Sequence, residues 1–122
     1  MSRDLLLFLQ DIETSCAKII RYTKGLMRDQ AFTDELRFDG VLLNLHITGQ
    51  AVKNLPLDLR ERYPDVAWRE IAGLRDFVAH AYFVLDLDIL WDAIQRDIPA
   101  LEVRIRQIIE SEKVRRRHEG EA

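Results

Sequence analysis

Arg75, Asp76, His80 and Tyr82 stand within the eight-residue stretch RDFVAHAY, an otherwise apolar run. Arg75 keeps its guanidinium charge and, in apolar surroundings, needs an anion or a carbonyl as partner. Asp76 and His80 are four apart and so meet on a helix surface, where the carboxylate orients the imidazole and favours its charged form. At about 100° per residue, Arg75 and Tyr82 share a face with Trp68, Ala72 and Ala79. His80 falls about 140° from Arg75, on the stripe Arg69, Gly73 and Asp76, while Ile71, Leu74, Val78 and Ala81 form the core face. One straight helix therefore does not aim Arg75 and His80 at a single small anion. Either the helix ends before His80 or a second copy supplies the missing face, and a two-fold dimer would bring both motifs into one cleft. The bland alternatives are an ordinary surface pair for Asp76 and His80 and a rim aromatic with a hydrated hydroxyl for Tyr82.

Several elements must position these side chains. Leu5, Phe8, Leu9, Ile12, Cys16 and Ile19 recur at helical spacing and predict a helix over 2–25, with Ser2 as N-cap and Gly25 just past its end. After the polar run MRDQAF, Thr33, Asp34 and Glu35 open a helix over 33–54, the acids favouring its positive end. That helix carries two apolar stripes, Leu36, Leu43 and Ile47 against Phe38, Leu42, Leu45 and Val52, so neighbours are expected on both sides. Gly49 costs a helix interior about 1 kcal/mol relative to alanine, which implies that another backbone passes close to it. PLDLRERYPD, with Pro56 and Pro64, reads as the clear loop. A helix from about Asp65 then carries the motif. Asp86 or Asp88 caps a last helix whose apolar phase runs from Leu87 to Ile108 through Pro99, where a kink or a restart capped by Asp97 is expected. No strand-like alternation, repeat or glycine-rich phosphate loop interrupts this pattern. The expected fold is all-α, a bundle of four to five helices, with a single domain over 1–114 and a frayed tail over 115–122.

Composition narrows the function classes. In 122 residues, 48% hydrophobic and 32% charged, one core forms and disorder is excluded. The apolar run Leu5 to Leu9 is too short for a signal peptide, so a cytoplasmic protein is expected. A single cysteine, Cys16, builds neither a disulfide nor a zinc site and is expected in the core. A net charge of −3 means that any contact with nucleic acid must be local. Basic residues do cluster, at Arg60, Arg62 and Arg69 and at Lys113, Arg115, Arg116 and Arg117. His46 is expected in the core or an interface, and His118 in solvent. Asp86, Asp88 and Asp92 read as helix caps and dipole partners rather than metal ligands, so neither a metal nor a cofactor is expected.

The pattern R-x4-H-x-Y from Arg75, set in REIAGLRDFVAHAYFVLDLDILWDAIQRDIPAL, resembles the HEPN superfamily, specifically the HepT-like proteins that form the toxin half of HepT/MntA toxin–antitoxin systems. The likeness extends from ITGQAVKNL through Pro64 and Trp68 to Asp97, Pro99 and Leu101, about two thirds of the chain. It implies a dimeric, metal-independent ribonuclease with its cleft between protomers. By the resemblance Arg75 and His80 act on RNA, with Asp76 in support. Tyr82 matches the tyrosine to which a minimal nucleotidyltransferase of the MNT type, the antitoxin, transfers AMP. Arg69, Arg115, Arg116 and Arg117 are the expected RNA contacts. Family members often carry a glutamate in a G-E-A run where this chain has Gly49, Gln50 and Ala51, so that position keeps hydrogen bonding and loses charge. A competing reading is a non-catalytic HEPN module that docks the nucleotidyltransferase. A third is a bare dimeric bundle with a structural polar cluster.

Overall fold

In the computed structural model, residues 4–76 and 86–120 are described in full and 121 in its backbone. Every regular element among them is helical: α1 (Leu5–Thr23), α2 (Arg28–Thr33), α3 (Glu35–Asn54), α4 (Leu57–Arg62), α5 (Trp68–Ala72), α6 (Leu87–Asp92) and α7 (Ile98–Glu121). The all-α expectation therefore holds. None of these helices is long and apolar enough to cross a membrane.

Local chemistry sets the ends. Asp4, not Ser2, caps α1, its carboxylate accepting from the Leu6 N–H, while Ser2 lies outside the described residues. Gly25 follows the C-cap with φ of 74°, the left-handed conformation that a side chain resists. MRDQAF is more than a polar run, and Thr33 does not open the next helix. They hold α2, and Asp34 breaks it from α3 by accepting from the Arg37 N–H. The loop expected at 56–65 likewise contains a short helix, α4, started after Pro56. Asp86 caps α6, accepting from the N–H groups of Asp88 and Ile89.

The disturbance expected at Pro99 takes the form of a π turn, and Asp97 lies inside it rather than capping a new helix. A π turn over Ala93–Asp97 joins α6 to α7, and the Ile98 N–H reaches back to the Ala93 carbonyl. Widening the helix by one residue there moves the Gln95 carbonyl, which a proline at 99 cannot bond and would strike, out of the regular ladder. The tail expected to fray instead continues α7 to Glu121. Arg115 pairs with Glu119 one turn on, and Arg116 grips the Asp4 carboxylate with two hydrogen bonds of 2.9 and 2.7 Å. Both hold the last turns in place.

The core lies between α1, α3 and the α6–α7 arm. Leu9, Ile12, Cys16 and Ile19 of α1 meet Val41, Leu45 and Val52 of α3 and Leu90, Ile94, Ile98, Ile105 and Ile108 of the arm, all at most 1% exposed. Each such side chain contributes roughly 1.5–3 kcal/mol of transfer free energy, so α1 and α7 need no other reason to pack. Phe32 of α2 fits between Phe38 and Trp91, with ring centroids 5.1 and 5.5 Å away, and closes one end. The outer stripe of α3 departs from expectation. α1 and α5 both pack against α3, the latter segment at Gly49, and neither covers Leu36 and Leu43, which are left 84% and 58% exposed.

Candidate active site

Arg75 is placed by two consecutive residues of α3. A Cβ on Gly49 would lie 2.7 Å from the Arg75 backbone nitrogen and 3.2 Å from the Ala72 carbonyl oxygen, far inside contact distance. Only glycine lets the segment come so near. That is the close backbone expected from the cost of a glycine inside a helix. One residue on, Gln50 reaches the side chain: the Arg75 Nη1 donates to its Oε1 at 2.7 Å. The carbonyl partner that the guanidinium demanded is thus an amide oxygen.

The other end of α5 is held just as firmly. The Trp68 indole is buried and donates its N–H to the carbonyls of Tyr63, at 2.9 Å, and Arg60, at 3.2 Å. Ahead of it, Asp65 accepts from Arg104 of α7 at 2.7 and 3.2 Å, and the same guanidinium lies over the Tyr63 ring. Tyr63 and Arg62 in turn bind Glu112 of α7, at 2.6 and 2.5 Å. Burial pushes the Glu112 carboxyl up, but its bonds from Arg62 and Tyr63 outweigh that and hold it below the usual carboxylate value. A rigid strut therefore runs from α7 through 62–68 into α5, and Arg75 extends from its far end.

Past Ala72 the chain turns at Gly73 and a helical turn resumes at 74–76. Ile71 and Leu74 pack against the core, as their side of the helix requires. Asp76 is 77% exposed and its carboxylate stands 3.9 Å from the Arg75 Nε, a screened ion pair. His80 and Tyr82, with Val78, Ala79 and Ala81, lie outside the described residues, so their relation to Arg75 is not part of this geometry.

The remaining candidates separate. Arg69 and Arg117 are exposed, whereas Arg115 and Arg116 are engaged with Glu119 and Asp4. Among the described residues no hydrogen bond or ion pair joins the tail arginines to Arg75. His46 is exposed on α3 rather than in the core, because it shares the outer stripe with Leu43, and His118 is exposed on α7. Asp86 is a cap, Asp88 pairs with Arg28 and Asp92 pairs with Arg96. Cys16 is buried, and burial pushes its thiol up to about 12, which removes it as a nucleophile. Sequence reasoning missed the Glu112 cluster, although a signal was there. Glu112 continues the helical phase of Ile105, Ile108 and Ile109, and a carboxylate on an apolar stripe needs a buried partner.

Comparison with known proteins follows the same outline. The family model described as Ribonuclease HepT-like matches residues 12–108. A protein of Caldanaerobacter subterraneus provisionally named as an RNase is 37% identical over 106 residues, 87% of this chain and 95% of that one. A probable ribonuclease HepT of Thermococcus cleftensis is 33% identical over 101 residues, 83% of this chain and 92% of that one. A Methanocaldococcus jannaschii protein, named as a gamma-glutamylcyclotransferase and provisionally as an RNase, is 37% identical over 110 residues, 90% of this chain. This chain spans only 50% of that relative's length. No solved structure matches. A match over residues 12–108, spanning the α3 segment that cradles Arg75 and the motif itself, places this chain in the HepT-like ribonuclease family.

Proposed function

We propose that this chain is the RNA-cleaving toxin of a toxin–antitoxin pair and acts without a metal, with Arg75 and His80 as its catalytic residues. The supporting observation is the setting of Arg75: a half-buried guanidinium, fixed in place and satisfied by a neutral oxygen, in a chain of a ribonuclease family. Such a group stabilises a phosphorane without having to leave a carboxylate first. In the reaction, a ribose 2′-oxygen attacks the adjacent phosphorus and the P–O5′ bond breaks. His80 takes the 2′-hydroxyl proton or supplies the one that the departing 5′-oxygen needs, water serving in the other role, leaving a 2′,3′-cyclic phosphate and a 5′-hydroxyl. Asp76 supports the imidazole or the cleft. DNA has no 2′-hydroxyl and is not cut. Arg69 and Arg117 contribute local positive charge for RNA on a chain of net charge −3, and Arg115 and Arg116 join them where RNA displaces Glu119 and Asp4.

The working form in this reading is a two-fold homodimer with both motifs in one cleft. Leu36 and Leu43, exposed on α3, are apolar surface that a second copy would cover. Control falls to Tyr82. A nucleotidyltransferase antitoxin of the minimal MNT type directs its hydroxyl onto the α-phosphorus of ATP, pyrophosphate leaves, and tyrosyl-AMP remains. Its phosphodiester and adenine then compete with RNA beside Arg75.

The test is induction of the wild-type chain, Arg75→Ala and His80→Ala in growing cells, with circular dichroism on each purified protein. Wild type is expected to arrest growth and degrade RNA, and each folded variant to lose at least about a hundredfold in cleavage. Equal harmlessness of all three, or equal cleavage by all three, removes the proposal.

A further inference from the structure

We infer that Arg60 is a second phosphate-binding residue, its guanidinium holding a backbone phosphate of the RNA other than the one that is cut. The inference rests on the ribonuclease reading above and assigns a role to an arginine outside the R-x4-H-x-Y motif.

Arg60 belongs to the basic group Arg60, Arg62 and Arg69 on the segment that leads into α5, and the members are used differently. Arg62 is taken by Glu112 and Asp58. The backbone of Arg60 is equally well tied. Its N–H donates to the Pro56 carbonyl at 3.2 Å, and its carbonyl accepts from the Tyr63 N–H at 3.3 Å and from the Trp68 indole at 3.2 Å. The side chain has no such partners. Among the described residues the Arg60 Nε is the one buried side-chain nitrogen or oxygen without a hydrogen-bond partner, and no ion pair reaches the guanidinium. Asp58 pairs with Arg62 instead, and Glu61 and Glu70 are exposed without pairing with Arg60.

Folded proteins satisfy nearly all of their buried polar groups, so an orphan calls for a cause. Only the Nε is buried, which leaves the two Nη groups in reach of solvent. The stem is packed and the charged fork is presented, and that fork matches a phosphate, which it binds through paired N–H donors. Arg69 follows Trp68 directly, is exposed, and forms no ion pair among the described residues. The indole that binds the Arg60 carbonyl therefore brings a second uncompensated cation to the same joint. Arg75 stands seven positions beyond Trp68, roughly 10 Å along a helix, so Arg60 addresses a different phosphate from the scissile one. On a chain of net charge −3, affinity for RNA has to come from cations held in place without a carboxylate, and contacts of this kind set the register of the strand. An acidic protein would also suit the fork, but the family to which the chain belongs acts on RNA.

The experiment uses the full chain as wild type, Arg60→Met, Arg60→Lys and Arg75→Ala. Kd is measured by fluorescence anisotropy over a salt series for two single-stranded RNAs of unrelated sequence carrying 2′-O-methyl groups. Their unmethylated forms give kcat and KM, and a melting curve accompanies each protein. Arg60→Met keeps a packed stem and removes both the orphan nitrogen and the charge. It is expected to melt at the wild-type temperature or up to about 4 °C above it. Kd should nevertheless rise about tenfold on both RNAs, and the slope of log Kd against log salt should flatten by about 0.7, the loss of one phosphate contact on a single strand. The loss in cleavage should fall on KM rather than kcat. Arg60→Lys is expected to keep the wild-type slope, since its ammonium still neutralises a phosphate. If Arg60→Met binds both RNAs with the wild-type Kd and slope while Arg75→Ala is inactive, the inference is wrong, the ribonuclease reading stands, and an acidic protein becomes the occupant to test. If Arg60→Met unfolds, or loses affinity only in step with a lower melting temperature, Arg60 is structural and the inference is overturned. If the wild type neither cleaves the RNAs nor binds their methylated forms, the ribonuclease reading fails and this role falls with it.

Discussion

Arg62 and Arg75 lie at the two ends of one strut and use the same functional group in opposite ways. At Arg62 the guanidinium meets a carboxylate that is itself 4% exposed, with Tyr63 satisfying the second oxygen and Asp58 the outer edge. At Arg75 it meets an amide oxygen and a distant, solvated carboxylate. Compensation is what lets the first be tucked against α7 and fasten 62–68 to the bundle, since a buried unpaired charge would cost several kcal/mol. In the proposed reaction the second guanidinium is the one that meets a phosphate. The two ends differ in the partner of the arginine more than in its burial, 23% against 33% exposed.

This contrast can be broken most sharply at Gly49. Gly49→Ala gains about 1 kcal/mol of helix propensity and loses about 1–3 kcal/mol to a Cβ forced against the Arg75 backbone nitrogen. The net stability change in urea titration is therefore small. Cleavage is expected to fall far more, by about a hundredfold, because α5 must shift by a fraction of an ångström to an ångström and carry Arg75 with it. Activity that survives at the wild-type level would show that the cradle does not set the site.

The opposite end should respond in the opposite way. Glu112→Gln leaves Asp58, at 3.2 Å, as the one carboxylate on the Arg62 guanidinium. Because Arg62 is 23% exposed and keeps that second partner, the cost is placed at about 2 kcal/mol rather than at the larger figure for a fully buried orphan charge. Urea denaturation reads it, and cleavage per folded molecule should hardly change. A loss of cleavage with no loss of stability would invert the comparison.

The mildest test is acid. The folded Glu112 carboxyl lies below its ordinary value of 4.5, so its contribution to stability is present in full above that pH and lost as the pH falls through the lower folded value. Asp4 and Asp65, both lowered by their arginine partners, act in the same direction, though their exposure keeps their share small. The urea midpoint should therefore be flat from neutral pH to about 5 and decline below 4.5. Glu112→Gln should reduce that decline, and an unchanged slope in the variant would remove Glu112 as its source.

Much of this was legible one residue at a time. The spacing of Leu9, Ile12, Cys16 and Ile19 already placed one face of α1 in the core, and Gly25 marked its end, because both signals are local. Gly49 announced a close backbone without saying whose. Arg75 announced a need for a carbonyl or an anion without saying which. Less legible were MRDQAF and the proline-flanked segment, where short helices formed because neighbouring elements stabilised turns too short to stand alone. Pro99 was visible as a disturbance, but its resolution as a π turn depends on keeping Leu90, Ile94 and Ile98 in the core on both sides of it.

The helical class, the core stripes and the chemical repertoire of RDFVAHAY follow from periodicity and side-chain type, which are properties of the chain alone. That Gln50 meets Arg75 across 25 positions of sequence, and Glu112 meets Arg62 across 50, comes from the folded arrangement. Hydrogen bonds act over about 3 Å, and which distant residues come within that reach is settled by the packing of α3, α5 and α7, not by any pattern along the chain.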